Sequence, residues 1–288
     1  MTPESLAQDT HTLFSLPDVA FRINELIEKP DTRLSELAEV ILCDPGLSAR
    51  LLRLVNSAYY ALAKPVDTVS QAIHLIGQRE VQDLVMATSA VDLFKGLPPA
   101  QVNMEMFWFH SIACGIAARE LARRCHLPEG ERLFLAGLLH SVGKLIFYSR
   151  CPDQYREVLQ QVERQGVDAV AAELQVFGFT YADLSAELLK NWRFPERLWV
   201  AVAHHLEPAQ APNYWLEATI VHAAIYVANS LQPSTHPSLP TVASPDILAS
   251  LADMLALPPE SLTALPAEIN LQVIEIFEII QPGATLIY

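Results

Sequence analysis

Apolar residues recur at three- and four-residue spacing along almost all of the 288 residues. That is the period of helices that bury one face. In "DPGLSARLLRLVNSAYY", Asp44 is placed to cap a helix and Pro45 suits its first position. Leu47, Leu51, Leu54 and Val55 then fall on one stripe. In "TVSQAIHLIGQREVQDLVMATSAVDLF", Gly77 ends one helix and another is expected from about Gln78 to Phe94. "KGLPPAQVN" reads as a loop, followed by a longer helix from about Met104 to Cys125. "HLPEGER" reads as a turn, and "LLHSVGKLIF", residues 138–147, lies in the next expected helix.

"DQYREVLQQVERQG" and "YADLSAELLKNW" are amphipathic, whereas "PERLWVAVAHHL" and "WLEATIVHAAIYVANSL" are more apolar. The composition breaks at "QPSTHPSLPTVASP", whose four prolines predict an exposed loop. Beyond it, Ser244 and Pro245 open a helix. "INLQVIEIFEII" begins with alternation and then shifts to helical spacing, and helix is the expectation because no partner strands are visible. The pattern predicts an all-α fold, a two-lobed helical bundle dividing near residues 96–103.

Composition narrows the function. Nineteen basic residues against thirty-three acidic ones give a net charge of −14, which argues against a nucleic-acid partner. Arg119, Arg123 and Arg124 could form a local basic patch, but a solvated helix face is the favoured reading. Cys43, Cys114, Cys125 and Cys151 form no CxxC pair and read as buried, reduced thiols. The N-terminus lacks the pattern of a signal peptide, and no apolar stretch is long enough to span a membrane. A cytoplasmic location is expected.

Several of the nine histidines interrupt otherwise apolar helical segments: His110 in "FWFHSIACG", His140 in "LLHSVGK", His204 and His205 in "VAHHLEP", and His222 in "IVHAAIYVAN". Neutral imidazole is a good ligand for Zn, Fe, Ni or Cu, and histidines from several helices can converge in a bundle. A lone histidine on such a helix is more often a hydrogen-bonded core residue, and several of them shift that balance without reversing it. A hydrolytic di-metal site also needs carboxylates, which offset the ionic charge and bridge the metals. Here Ser141 follows His140, and Asn229 shares a helix face with His222 where an aspartate would serve. Ser141 can instead exchange a hydrogen bond with His140 and set its tautomer.

Together these segments resemble the HD-related output domain (HDOD) family of bacterial signalling. "LPDVAFRINELI", "LAEVILCDPGLSARLLRLVNSAYY" and "VSQAIHLIGQREVQDLVMATS" are similar to the family's N-terminal helical lobe. "FLAGLLHSVGKLIF" resembles the stretch that reads A-G-L-L-H-D-I-G-K in HD phosphohydrolases. "FGFTYADLSAELLKNWRFPERLWVAVAHHLEP" resembles the segment that follows, and similarity is weakest after about residue 230. The resemblance implies one HDOD-like unit: an N-terminal helical lobe over 14–95, a degenerate HD lobe like that of HD-domain phosphodiesterases over 103–231, and a C-terminal helical extension over 232–288.

Carried over by position, the resemblance makes His110, His140, His204 and His205 the metal-ligand set, weak or vestigial. Ser141 stands in place of the motif aspartate, Tyr181 where many relatives have histidine, and Asn229 near the place of the last aspartate. Lys144 keeps the motif lysine and could meet a phosphate. It shares a face with His140 if the helix continues through Gly143. The alternative for Lys144 is a cation at a helix C-terminus.

The implied function is a signal-transduction module, catalytically inactive and acting on signalling proteins as partners. No catalytic residue and no cofactor is expected beyond a weakly held divalent metal (Fe, Mn or Zn). No separate receiver or cyclase domain is expected within these 288 residues. The exposed faces of the N-terminal lobe, including Asn56, Ser57, Tyr59 and Tyr60, are candidates for partner binding, though packing of "NSAYY" is the favoured reading. The alternatives are a metal-dependent phosphohydrolase acting on a nucleotide or cyclic dinucleotide, and a nucleotide-binding sensor without turnover. Asp183 and Glu187 could supply a carboxylate from outside the motif, but solvent-facing roles are favoured for both.

Overall fold

The computed structural model describes residues 1–9, 16–29, 31–95, 97, 102–127, 132–233 and 244–282. Among these residues the fold is all-α, with no strand. The helices are α1 (Pro3–Asp9), α2 (Asp18–Glu28), α3 (Leu34–Leu42), α4 (Pro45–Val55), α5 (Val69–Ile76), α6 (Gln78–Leu93), α7 (Met104–Arg124) and α8 (Arg132–Leu139). They continue with α9 (Val142–Arg150), α10 (Pro152–Gln165), α11 (Ala169–Phe177), α12 (Tyr181–Asn191), α13 (Glu196–His204), α14 (Trp215–Leu231), α15 (Pro245–Met254) and α16 (Glu260–Ile280).

Local chemistry sets several helix starts. The Asp44 carboxylate accepts from the Leu47 N–H at 3.0 Å, as its place before Pro45 predicts. Thr68, Asn103, Asp168 and Ser244 cap α5, α7, α11 and α15 in the same way. Thr180 and Asp183 form a reciprocal capping box on α12. Asp183 is therefore a capping residue, and Glu187 accepts from Lys190 at 2.5 Å near the surface.

The chain divides into two compact units. One comprises Met1–Phe14 with Gly96–Asn270, and the other Ser15–Lys95 with Leu271–Tyr288. The chain passes from one unit to the other at Lys95. The first helix, however, packs on α12 in the larger unit, and the expected C-terminal extension is shared between the two units. The "INLQVIEIFEII" segment is helix, the end of α16. The loops expected at "KGLPPAQVN", "HLPEGER" and "QPSTHPSLPTVASP" lie mostly outside the described residues.

In the smaller unit, α2 packs on α3 and α6, and α3 packs on α4 and α5. "NSAYY" is an internal fastening. The Asn56 amide exchanges two hydrogen bonds of 2.7 Å with the backbone of Val66, in the manner of a strand partner. Ser57 Oγ donates to the Leu54 carbonyl, Tyr59 is buried, and the Tyr60 hydroxyl donates to Glu80. The Ala58 N–H donates to Glu275 of α16 at 2.8 Å. These residues fasten the turn that follows α4.

The larger unit is organised around α7, which packs most extensively on α8 and α14. Close approach of α7 and α8 depends on two glycines. A Cβ on Gly137 would lie 2.6 Å from the Cys114 carbonyl oxygen, and one on Gly115 would lie 2.7 Å from that of Phe134. Arg123 and Arg124 both pair with Glu120, and Arg124 also pairs with Glu268, so these two charges of the suspected basic patch are locally neutralised. All four cysteines are free thiols. Cys114 and Cys151 are buried as expected, but Cys43, one residue past the end of α3, is exposed, and Cys125 is half-buried. Among the described residues no helix is long and apolar enough to cross a membrane.

Candidate functional site

The expected helix through "LLHSVGKLIF" is two helices. α8 stops at Leu139 and α9 starts at Val142. The His140 side chain supplies the reason. Its Nδ1 lies 2.6 Å from the Gly137 carbonyl, the acceptor that a continuing helix would offer to the Ser141 N–H. The Gly143 N–H, one of the unpaired donors at the start of α9, is taken by Ser185 Oγ at 2.8 Å. Gly143 is required there, because a Cβ would meet the Tyr181 carbonyl oxygen at 2.3 Å. His140 therefore lies in the break and Lys144 on α9, and the shared face expected from one helix does not exist.

His205 ends α13 by the same device, with Nδ1 2.6 Å from the Val202 carbonyl. His110 Nδ1 lies 2.8 Å from the Gln232 carbonyl just beyond α14, and His222 Nδ1 lies 2.6 Å from the His205 carbonyl. A carbonyl only accepts, so each of these nitrogens carries the proton and each Nε2 keeps its lone pair. The His140 tautomer is thus set by Gly137, where Ser141 was the expected partner. The Tyr181 hydroxyl, 2.8 Å from His205 Nε2, must donate to it.

The three rings of His110, His140 and His205 form one buried cluster. The centroids of His110 and His140 are 5.8 Å apart, and those of His140 and His205 are 5.4 Å apart. Burial holds all three neutral. His110 is pushed down to about 4 and His205 to about 3, and His140 lies well below the usual histidine range, with the other two rings adding to the effect of burial. His204, the last residue of α13, is half-buried and makes no ring contact with this cluster among the described residues. The adjacent ring that enters the cluster is His205. His222, outside the expected ligand set, supports His205 from behind.

Lys144 is only 4% exposed and lies over the Tyr181 ring at 4.4 Å. Burial lowers it to about 8, against the pull of Glu173 and Asp168. Glu173 is wholly buried, accepts from the Tyr155 hydroxyl at 3.0 Å and the Tyr181 N–H at 2.7 Å, and is raised to about 7 by burial. A phosphate would have to enter the interior to reach Lys144. Glu173 was missed in the sequence, although a signal was there: with Ala169 and Ala172 it occupies the buried i, i+3, i+4 stripe of α11.

The donor set does not suit a hydrolytic metal centre. It offers neutral nitrogens, Ser141 stands beside His140 where a carboxylate would serve, and His205 Nε2 is already occupied by Tyr181. Among the described residues no group of three or more His, Cys, Asp and Glu side chains is arranged to hold a metal ion. The Nδ1–H to carbonyl pattern is nonetheless the one that metal-binding histidines adopt, with the proton on the outer nitrogen.

The sequence model of the HDOD domain family matches residues 13–208. The chain belongs to the HDOD family. Its fold is similar to a candidate phosphohydrolase from Shewanella amazonensis, with a TM-score of 0.77 and 24% identity over 96% of this chain and 97% of that one. It is also similar to an HDOD domain protein of unknown function from Geobacter sulfurreducens, with a TM-score of 0.74 and 22% identity over 98% of each chain. An uncharacterized protein of Treponema pallidum is 25% identical over 214 residues, 73% of this chain and 40% of that protein. The HDOD chain thus spans less than half the length of that relative. These likenesses carry the HDOD fold to this chain, and the chemistry has to be read from its own site.

Proposed function

We propose that this HDOD chain is a signal-transduction module that works by binding other proteins and does not hydrolyse phosphoesters. The observation that supports this most is the composition of the buried cluster. Three neutral imidazoles and a tyrosine leave a divalent cation's charge uncompensated in an apolar interior. A bridging water there would lack the anionic ligands and the general base that a hydrolytic site uses. The expected result is no metal-dependent turnover of cyclic dinucleotides, nucleoside triphosphates or simple phosphate esters with Mn, Fe or Zn. Turnover that disappears in His140→Ala overturns the reading.

Ser141→Asp with Asn229→Asp tests the same logic from the other side. Asn229 stands one turn before Gln232, whose carbonyl holds His110, and Ser141 adjoins His140. Two carboxylates beside imidazoles already in the metal-binding tautomer should raise Mn, Fe or Zn affinity by well over tenfold, about 1.4 kcal/mol per decade. Tight stoichiometric metal in the unaltered chain would favour the phosphohydrolase.

Partner binding is assigned to the smaller unit. "NSAYY" is engaged within the fold, so the available surface lies elsewhere: Leu42 of α3 and Leu75 of α5 are 57% and 58% exposed on helices that pack together. Leu42→Lys with Leu75→Lys in the full chain should abolish recovery of a partner from a lysate of the native organism. Trp215→Lys, in the larger unit, should not. The reverse outcome refutes the placement.

A further inference from the structure

A cavity of about 670 Å³ opens between the end of α14, α15 and the first half of α16, all within the larger unit. Its size suits a small organic molecule, for which sites of roughly 300–1,000 Å³ are usual. No histidine of the buried cluster lines it, and none of its described lining residues is charged. A charged ligand would leave water without an opposite charge to meet, so the wall selects for an uncharged one. Leu248, Leu262 and Pro266 give it an apolar floor.

Hydrogen bonding on the wall is lopsided. Ser230 Oγ donates to the Val227 carbonyl at 2.7 Å, and Thr263 Oγ1 donates to that of Glu260 at 3.1 Å. In this arrangement each hydroxyl hydrogen is turned to a backbone carbonyl and each oxygen is left to accept. Pro266 lies inside α16 and has no N–H to offer the Leu262 carbonyl one turn earlier, and both residues line the cavity. Of the described lining side chains only Tyr226 and Asn229 can donate. A well-matched occupant brings a donor of its own.

We propose that this cavity is a binding site for an uncharged, mainly apolar small molecule carrying an N–H or O–H donor, in the class of aromatic amines and phenols. The site is separate from the histidine cluster but not remote from it. Tyr226, on its wall, meets the His222 ring edge-on at 5.4 Å, and His222 Nδ1 donates to the His205 carbonyl. Occupancy should therefore be felt at His222.

The probe is N-phenyl-1-naphthylamine, which is neutral and has one N–H, titrated by fluorescence into the full chain. Binding should saturate at one equivalent. The same ring system bearing a sulfonate, 8-anilino-1-naphthalenesulfonate, should bind about tenfold more weakly or worse. Ala267→Trp fills the cavity from a helix surface and should weaken the neutral probe about tenfold. Leu248→Trp fills it from α15 and serves if the first variant loses helicity. Pro266→Ala returns a donor to the Leu262 carbonyl and should weaken the amine without weakening 1-benzylnaphthalene, which lacks the N–H. In nitrogen-labelled protein the His222 resonances should move with the probe, while those of His74, in the other unit, should stay. Equal binding of the sulfonate, or unchanged binding in both tryptophan variants, overturns the proposal. Neither result bears on whether the histidine cluster is catalytic.

Discussion

Gly137→Ala is the sharpest test of how the site is held. Gly137 lets α8 lie against α7, and its carbonyl orients His140. The added methyl would sit 2.6 Å from the Cys114 carbonyl oxygen and 2.7 Å from Gly115 Cα, all of it backbone that cannot rotate away. Carbon contacts are comfortable at about 3.5–4.0 Å, so α8 would have to withdraw by roughly 1 Å. Overpacking of this kind costs about 1–3 kcal/mol, and more where backbone must move. Alanine's better helix propensity returns about 1 kcal/mol. Because the clash is backbone against backbone, the upper end applies, and a net loss of about 2 kcal/mol is expected. Urea unfolding followed by tryptophan fluorescence is the assay. All four tryptophans, Trp108, Trp192, Trp199 and Trp215, lie in the larger unit, so the signal reports that unit. With a slope of about 2 kcal/mol/M, the midpoint should fall by roughly 1 M. Gly166→Ala is the control: at φ +66° with nothing within 4 Å, it meets only left-handed backbone strain of about 1 kcal/mol. A Gly137→Ala protein no less stable than Gly166→Ala would refute the close helix contact as a constraint.

Two further outcomes are expected. The buried histidines should make the larger unit acid-sensitive. His110 and His205 have folded values of about 4 and about 3, below the usual 6.5, so their contribution is fully present above 6.5 and is lost as pH falls. Each loses about 1.4 kcal/mol per pH unit, and His140 acts in the same direction. Glu173, raised to about 7, opposes them with one such increment, since its contribution is present below its usual 4.5 and is lost as pH rises through 7. Urea midpoints should fall between about pH 6.5 and pH 5, and a flat or rising profile would contradict neutral burial. Lys144→Met should push the Glu173 carboxyl further above about 7, because the cation that opposes its burial is gone. The stability changes of Lys144→Met and Glu173→Gln should not add in a double-mutant cycle, and additive changes would show that the two side chains do not interact.

The sequence by itself determined the helices, because helix formation is written in local terms. The Asp44 and Ser244 caps, the Gly77 stop and the apolar stripe of α4 all depend on residues within a turn or two of each other. That a serine follows His140 and an asparagine shares the helix face of His222 was equally legible, since residue identity alone carries it. Tertiary structure decided what neighbouring symbols could not. His204 and His205 are adjacent in sequence, yet only His205 faces His140, because α13 ends there and turns one ring inward. The helix break at His140 arises from a side chain competing for its own backbone acceptor, and the Ser185 hydroxyl that satisfies the new helix start comes from 42 residues away. Lys144 reads as a displayed cation until α11 brings Glu173 to neutralise it and α12 lays Tyr181 beneath it. Those partners are distant in sequence, and burial set their charges only after the helices had packed.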